Sequence, residues 1–202
     1  MVTTIFFDIG GVLLTDGWGH ESRRTAAEHF GLDWEEYSDR HEKVAHAIET
    51  NGLSIDQYLT RAVFYRPRSF TREEFRSFMF EQSQPHQDTI QLVKQLALSR
   101  RYSLATINNE ILELNQYRIE HFGLRDYFPV FFSSCFLGLR KPDEAIYRLV
   151  LEVTQRAAAD CIFIDDREVN LECPRELGLT TILFRDVAHL TTQLRENGVE
   201  FG

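Results

Sequence analysis

Several apolar runs of this chain end in polar residues of the types that bind metal ions and phosphate. Short apolar runs are followed by an aspartate, by an asparagine pair, by a Lys-Pro dipeptide and by an aspartate pair. In an open sheet of parallel strands, ligands bind beyond the carboxyl ends of the strands. If the runs are such strands, the polar residues that follow them lie in one crevice. These residues are Asp8, Asn108, Asn109, Lys141, Asp165 and Asp166.

The three aspartates in this set favour a bound cation. Asp8, Asp165 and Asp166 would repel one another unless a cation neutralised them, and oxygen ligands alone favour a hard ion such as Mg²⁺. Gly10 and Gly11 follow Asp8 and let the backbone turn sharply, which brings a carbonyl close to such an ion. Lys141 supplies a point charge that can hold both a phosphoryl group and a nucleophile. Singly these residues are typical of turns and helix caps; together they predict a site.

Strands and helices alternate along most of the chain and would position these residues. The apolar runs lack a polar face, which indicates a parallel sheet covered on both sides. The helical patterns lie between the runs, and Pro174 should kink or shorten the last helix. The predicted strands are Thr3–Phe7, Tyr102–Ile107, Val130–Phe132, Cys161–Ile164 and Thr180–Phe184, and the predicted helices are Asp88–Ser99, Asn109–Phe122, Asp143–Val153 and Glu168–Leu177.

The connection after the first strand is different, because it is long and contains only helical signals. Asp33, Ser54 and Thr71 each precede Glu or Gln by three positions, the pattern of a capping box at a helix start. Gly31 and Gly52 stand where the preceding helices should stop. We therefore predict a small helical domain, the cap (residues 15–85), inserted into an α/β core made of residues 1–14 and 86–202.

The composition and net charge of the chain limit the classes of molecule that it is expected to bind. The chain has 202 residues, of which 43% are hydrophobic and 26% charged, and a formal net charge of −9. No dense Lys/Arg block is present, which argues against nucleic acid and against an anionic membrane surface as partners. The first residues lack the basic segment of a signal peptide, and no apolar stretch suits a transmembrane helix. Cys135, Cys161 and Cys173 show no paired spacing, so reduced thiols and a cytoplasmic location are expected.

The order of these motifs resembles that of the haloacid dehalogenase (HAD) superfamily. The segments that carry the resemblance are Phe6–Leu13, Leu104–Asn109, Gly138–Asp143, and Phe163–Asp166 with Asn170. The resemblance implies a Rossmann-like core with a small helical cap and a nucleophilic attack by Asp8 that forms an aspartyl intermediate. It implies Mg²⁺ held by Asp8, the Gly10 carbonyl and Asp166, with Asp165 in or near the shell. Asn108, Asn109 and Lys141 would bind the phosphoryl group of a small phosphorylated metabolite. The oligomeric state is left open.

Two positions depart from the family pattern. Phosphatases of this family usually carry a second aspartate two residues after the nucleophile as general acid and base, and here that position is Gly10. His20 and Glu110 are candidate replacements. The second motif usually ends in a hydroxyl residue followed by Asn, whereas Asn108 holds that place here; Thr106 is the nearest hydroxyl.

These departures leave alternatives to a phosphatase. One is a dehalogenase, which needs no proton for its leaving group, and another is a catalytically weak or silent protein that binds a phosphorylated ligand. Substrate choice would fall to the cap. Its candidate wall residues, each of which could instead belong to the cap interior or to the solvated surface, are Trp18, Tyr58, Phe64, Tyr65, Arg66 and Arg68.

Overall fold

The structure, a computed structural model that describes residues 1–201, is built on one parallel sheet. With the strands numbered β1 to β5 along the chain, their order in the sheet is β3-β2-β1-β4-β5, so β1 is central, β2 and β3 lie on one side of it and β4 and β5 on the other. This arrangement confirms the predicted Rossmann-like α/β core, and every strand begins and ends within two residues of its predicted bounds. The strands are β1 (Thr4–Phe7), β2 (Ser103–Asn108), β3 (Val130–Ser133), β4 (Cys161–Asp165) and β5 (Thr180–Leu183).

Two apolar layers cover the sheet because successive side chains of each strand point to opposite faces. In β1, Ile5 and Phe7 join the layer under the helices that follow the cap and that end the chain, while Phe6 packs on the other face. The core helices are α5 (Gln87–Ser99), α6 (Leu112–His121), α7 (Ser134–Leu137), α8 (Glu144–Thr154), α9 (Val169–Glu176) and α10 (Val187–Glu196). The sequence analysis predicted neither α7 nor α10.

Helix α9 tolerates Pro174 because the hydrogen bond that proline cannot make is replaced. A proline at this position lacks the N–H that would reach the carbonyl of Asn170, one turn earlier. The Tyr147 hydroxyl donates to that carbonyl instead, at 2.7 Å. The helix therefore keeps its place beside β4, and Asn170 stays at the carboxyl end of the sheet.

Between β1 and α5 lies the cap, and three of its helices begin at the predicted capping residues, whereas the first begins after Gly19. The side chain of Asp33 accepts from the Glu36 N–H, and Ser54 and Thr71 form complete capping boxes with the residues three positions later. Such caps contribute about 0.5–2 kcal/mol each. The cap helices are α1 (His20–Phe30), α2 (Trp34–Glu49), α3 (Ile55–Ala62) and α4 (Arg72–Glu81).

The ends of α1 and α2 can be compared with the prediction that Gly31 and Gly52 end the helices before them. Gly31 has a φ of 62° and ends α1 as predicted. The prediction for Gly52 was wrong, since α2 ends at Glu49 and the left-handed residue that follows is Asn51, with a φ of 61°. Asparagine adopts this region more readily than most residues, so it can replace glycine here.

A short paired stem joins the cap to the core. The segments entering and leaving the cap pair at Leu14 and Pro85, and the N–H of Thr15 donates to the Gln84 carbonyl at 2.8 Å. The division into a cap of residues 15–85 and a core of residues 1–14 and 86–202 stays a prediction. Among residues 1–201, no helix combines the length and the apolar character needed to span a membrane.

Candidate active site

A polar crevice of about 480 Å³ opens between the carboxyl ends of the strands and the cap. Asp8, Gly10, Asn109, Lys141 and Asp166 line it, as the sequence analysis expected. A larger shallow groove of about 860 Å³ lies on the cap, beside α4 and away from these carboxylates. The residues whose types could bind a metal ion and phosphate therefore line the smaller cavity.

Asp8 follows β1 directly and is held by the backbone around it. Its N–H donates to the Ile164 carbonyl at 2.9 Å, and its Oδ1 accepts from the N–H of Ile9 at 2.7 Å. Its Oδ2 lies 3.0 Å from the Nζ of Lys141. Burial raises the pKa of Asp8, and Asp165 and Asp166 add to the rise while Lys141 opposes it. A further cation nearby would keep this carboxylate ionised.

Lys141 is almost completely buried and has two carboxylate partners. Its Nζ contacts Asp8 and also donates to the Oδ2 of Asp165 at 2.5 Å. Burial by itself lowers the pKa of Lys141, but the two carboxylates outweigh it, and the net shift is upward. The amide of Asn109 fixes the lysine backbone, because its Oδ1 accepts from the Lys141 N–H at 2.9 Å and its Nδ2 donates to the Lys141 carbonyl at 2.8 Å. Asn109 thus positions Lys141.

Asp165 and Asp166 are adjacent but face different surroundings. Asp165 is fully buried; besides Lys141, it accepts from the Nδ2 of Asn170 at 2.9 Å and from the N–H of Arg167 at 2.9 Å. Asp166 is half-buried and lines the crevice. Desolvation, followed by the charges of Asp165 and Asp16, raises the pKa of Asp166 to about 6. Asp165 therefore orients Lys141, and Asp166 presents its carboxylate to a ligand.

The three aspartates fit a hard cation. Asp8, Asp165 and Asp166 each offer one oxygen, and these oxygens lie within 4.8 Å of one another. Desolvation and the neighbouring carboxylates raise the pKa of Asp8 and of Asp166, so a cation would stabilise the ionised cluster. An oxygen-only donor set suits Mg²⁺.

Gly11 leaves the space that Asp166 occupies. Its φ is +71°, and a Cβ at this position would lie 2.2 Å from the Oδ2 of Asp166. Only a residue without a side chain allows the turn after Asp8 and this carboxylate to approach so closely.

Asn108 does not lie where the sequence analysis expected a residue that binds the phosphoryl group. Its Nδ2 donates to the Oδ1 of Asn115 at 2.9 Å, and its Oδ1 accepts from the Ser133 hydroxyl at 2.9 Å. The side chain is buried in this network with α6 and β3, and Asn108 is not among the residues that line the crevice. Thr106 is fully buried within β2, so its hydroxyl does not reach the crevice either.

Glu110, one candidate acid, is already engaged. Its Oε2 forms a buried ion pair with Arg118, and Arg118 also donates to the carbonyl of Thr15 in the stem. Burial raises the pKa of Glu110 while Arg118 opposes that shift. The pair ties α6 to the start of the cap.

The cap supplies the other wall of the crevice. Trp18, His20, Arg23, His41 and Glu49 line it. The ring of His20 is exposed, contacts Glu21 and lies edge-on to Trp34. His41 is buried, with its Nδ1 3.0 Å from the Tyr58 hydroxyl, and burial lowers the pKa of His41 to about 3.

The other candidate wall residues lie elsewhere in the cap. Tyr58 is fully buried in the apolar interior of the cap. Phe64 packs at the edge of that interior, and the guanidinium groups of Arg66 and Arg68 lie over the ring of Tyr65. Trp18 is thus the aromatic residue among these candidates that lines the crevice.

Asp16 is a crevice residue that the sequence analysis missed. It follows the stem, lines the cavity and keeps an exposed side chain. Desolvation raises its pKa, although Arg167 and other nearby cations oppose that shift. No spacing pattern marks it, because an Asp-Gly pair in a loop is typical of a turn.

Curated relatives of this chain include phosphatases. Flavin mononucleotide hydrolase 1 of Arabidopsis thaliana is 28% identical over 148 residues, which are 73% of this chain and 60% of that protein. The phosphorylated carbohydrates phosphatase of Thermotoga maritima is 24% identical over 190 residues, 88% of this chain and 82% of that protein. The chain thus spans about 60% of the length of the Arabidopsis relative, less than two thirds of it.

Solved structures share the fold. The HAD family enzyme BT-2542 of Bacteroides thetaiotaomicron superposes with a TM-score of 0.80 at 18% identity, covering 94% of this chain and 98% of that one. The same enzyme has been solved in complex with magnesium and inorganic phosphate, with a TM-score of 0.76 to this chain. The family profile of haloacid dehalogenase-like hydrolases matches residues 2–178. The chain therefore belongs to the haloacid dehalogenase-like hydrolases.

Proposed function

We propose that this hydrolase cleaves small phosphomonoesters with the carboxylate of Asp8 as nucleophile and Mg²⁺ as cofactor. The observation that carries the proposal is the position of Lys141, whose Nζ contacts both Asp8 and Asp165 at the floor of a crevice that also contains Asp166. A buried lysine between two carboxylates keeps its charge and is available to a phosphoryl oxygen. The phosphatases among the relatives and the magnesium–phosphate complex of BT-2542 support the same chemistry.

Each residue has a defined part in this reaction. Mg²⁺ would be held by Asp8, the Gly10 carbonyl and Asp166, with Asp165 in or near the shell, and when bound it supplies charge neutralisation for the phosphoryl group. Lys141 orients the Asp8 carboxylate and binds a phosphoryl oxygen. Asn109 holds Lys141 by its backbone and can offer its remaining amide hydrogen to the phosphoryl group.

The lining of the crevice favours a hydrophilic substrate. Apart from Trp18, Ala45 and two glycines, every lining residue carries a charged or hydrogen-bonding side chain. Apolar ligands prefer pockets lined mainly by hydrophobic and aromatic residues. We therefore assign a polyhydroxylated phosphomonoester, of the sugar or polyol phosphate type, rather than a large apolar ester.

Turnover with and without Mg²⁺ tests the function. A panel of sugar, polyol, nucleoside and prenyl phosphates should give phosphate release that depends on Mg²⁺ and is stopped by EDTA, with the hydrophilic esters turned over fastest. Trapping should place one phosphoryl group, or one BeF₃⁻ adduct, on Asp8. Dehalogenation of a 2-haloacid that survives EDTA would support the dehalogenase instead, and failure to label Asp8 with Mg²⁺ present would support a silent binding protein.

A further inference from the structure

We infer that Asp16 is the general acid and base of this hydrolase, an inference that rests on the proposed function. A phosphoryl transfer to Asp8 releases an alkoxide, which leaves poorly unless it is protonated, and the second step needs a base to activate water. A carboxyl group that faces the crevice and is not bound by a cation can do both.

The position of Asp16 relative to Gly10 supports this role. Its Oδ1 lies 3.4 Å from the point that a Cβ at Gly10 would occupy. Gly10 lines the crevice two residues after the nucleophile. The carboxyl group of Asp16 thus lies in ordinary contact with the space that a side chain at Gly10 would enter, on the same cavity as Asp8 and Lys141.

A second glycine leaves room for the same carboxyl group. A Cβ at Gly19 would lie only 1.8 Å from the Oδ2 of Asp16, which no real contact permits. The loop that leads into α1 therefore accommodates Asp16 because residue 19 has no side chain. Both oxygens of the group face positions without side chains.

Apart from Asp166, which the proposed function places with the metal, the other acids and histidines of the crevice have partners. Glu110 is paired with Arg118, and the carboxylate of Glu49 lies 3.2 Å from Arg140. His41 contacts the Tyr58 hydroxyl and His20 contacts Glu21. Among residues 1–201, Asp16 forms no ion pair, and its side chain is exposed to the cavity.

The proton balance closes with Asp16 alone. In the first step Asp8 attacks phosphorus, the bond from phosphorus to the leaving oxygen breaks, and the protonated Asp16 gives its proton to that oxygen. In the second step the Asp16 carboxylate takes a proton from water as the water oxygen attacks phosphorus. The bond between phosphorus and Asp8 breaks, which regenerates the Asp8 carboxylate, protonated Asp16 and free phosphate.

Leaving-group dependence separates this role from a merely structural one. Asp16→Asn keeps the shape of the side chain and removes the proton donor. Single-turnover phosphorylation of Asp8 by glycerol 2-phosphate should fall by about 10²–10⁴-fold, whereas p-nitrophenyl phosphate, whose phenolate leaves without a proton, should lose far less. Dephosphorylation should be slow with both. Asp39→Asn, which removes an exposed carboxylate paired with Lys43 on α2, is the matched control and should behave as wild type.

A change at Gly10 gives a second test. Gly10→Asp in the Asp16→Asn background places a new carboxyl group beside the amide of residue 16 and should recover part of the rate with glycerol 2-phosphate. Equal losses with both esters, or a wild-type rate for Asp16→Asn, would overturn the inference while Asp8 can still be phosphorylated. If wild-type Asp8 cannot be labelled by either ester, it is the proposed function that fails.

Discussion

Replacing Gly11 with alanine should weaken the metal site without removing any ligand. The new Cβ would lie 2.2 Å from the Oδ2 of Asp166, 2.5 Å from its Cγ and 3.0 Å from its Oδ1. Ordinary contacts between heavy atoms lie at about 3.5 Å or more, so the carboxylate must retreat by about 1 Å. A misplacement of about 1 Å in an active site can lower the rate by about 10²-fold.

The same substitution also acts on stability, by a separate mechanism. The φ of Gly11 is +71°, and a left-handed conformation costs a residue with a Cβ about 1–2 kcal/mol. The free energy of unfolding, measured in urea without Mg²⁺, should fall by about that amount. Displacement of Asp166 should then appear as a rise in the Mg²⁺ concentration needed for half-maximal turnover.

Gly31→Ala is the matched control for Gly11→Ala. Gly31 also has a left-handed φ, of 62°, but it lies at the end of α1 and a Cβ there meets nothing within 4 Å. It should lower the free energy of unfolding by a similar amount, about 1–2 kcal/mol, and leave the Mg²⁺ dependence unchanged. If Gly11→Ala retains both the wild-type rate and the wild-type Mg²⁺ dependence, the assignment of Asp166 to the metal is refuted. If Gly31→Ala changes the Mg²⁺ dependence as much as Gly11→Ala does, the steric argument fails.

Three further predictions address the nucleophile, the buried ion pair and the cap. Asp8→Asn should abolish turnover and phosphoryl trapping but leave the far-ultraviolet circular dichroism unchanged; measurable turnover in this variant would exclude Asp8 as nucleophile. Glu110→Gln should lower the free energy of unfolding by about 3–5 kcal/mol, because it leaves the Arg118 charge buried without its partner. Adding Arg118→Met should restore most of this loss. A Glu110→Gln variant as stable as the wild type would contradict the argument. Burial lowers the pKa of His41 from 6.5 to about 3 in the folded protein, whereas in the unfolded chain this histidine takes up a proton below pH 6.5. The free energy of unfolding should therefore decline as the pH falls from 6.5 towards 3, by up to about 1.4 kcal/mol per pH unit. In urea titrations at acid pH, His41→Gln should show a shallower decline.

The sequence predicts the core well because its strong signals are local. Apolar runs without a polar face predict the strands, and the capping residues Asp33, Ser54 and Thr71 predict the starts of the cap helices. The prediction that Gly52 ends α2 was wrong for an equally local reason, since Asn51 adopts the left-handed conformation one residue earlier. Helix α10 begins after Asp186, whose side chain accepts from the His189 N–H. The residue three positions after Asp186 is neither Glu nor Gln, so no capping-box pattern marks this helix start.

The site was predicted less completely, because side-chain partners depend on tertiary packing. Strand order alone brings Asp8, Lys141 and Asp166 to one crevice. Whether an amide at the end of β2 points into the crevice depends on Asn115 and Ser133, which come from other elements. Asp16 could not be found from spacing, because it reaches Gly10 only through the path of the loop between β1 and α1.

The paired stem at Leu14 and Pro85 has a consequence for how such a molecule can diversify. Both ends of the cap leave the core side by side, so the chain connects the cap to the β-sheet at two neighbouring attachment points. Gene rearrangement could exchange residues 15–85 for another helical segment without disturbing strand order. Much of the crevice lining, including Arg23 and Glu49, would change in that single exchange, while Asp8, Lys141 and Asp166 would stay in place. The exchanged segment would include Asp16, so the inferred acid and base would be inherited together with the crevice wall of the cap, apart from Asp8 in the core.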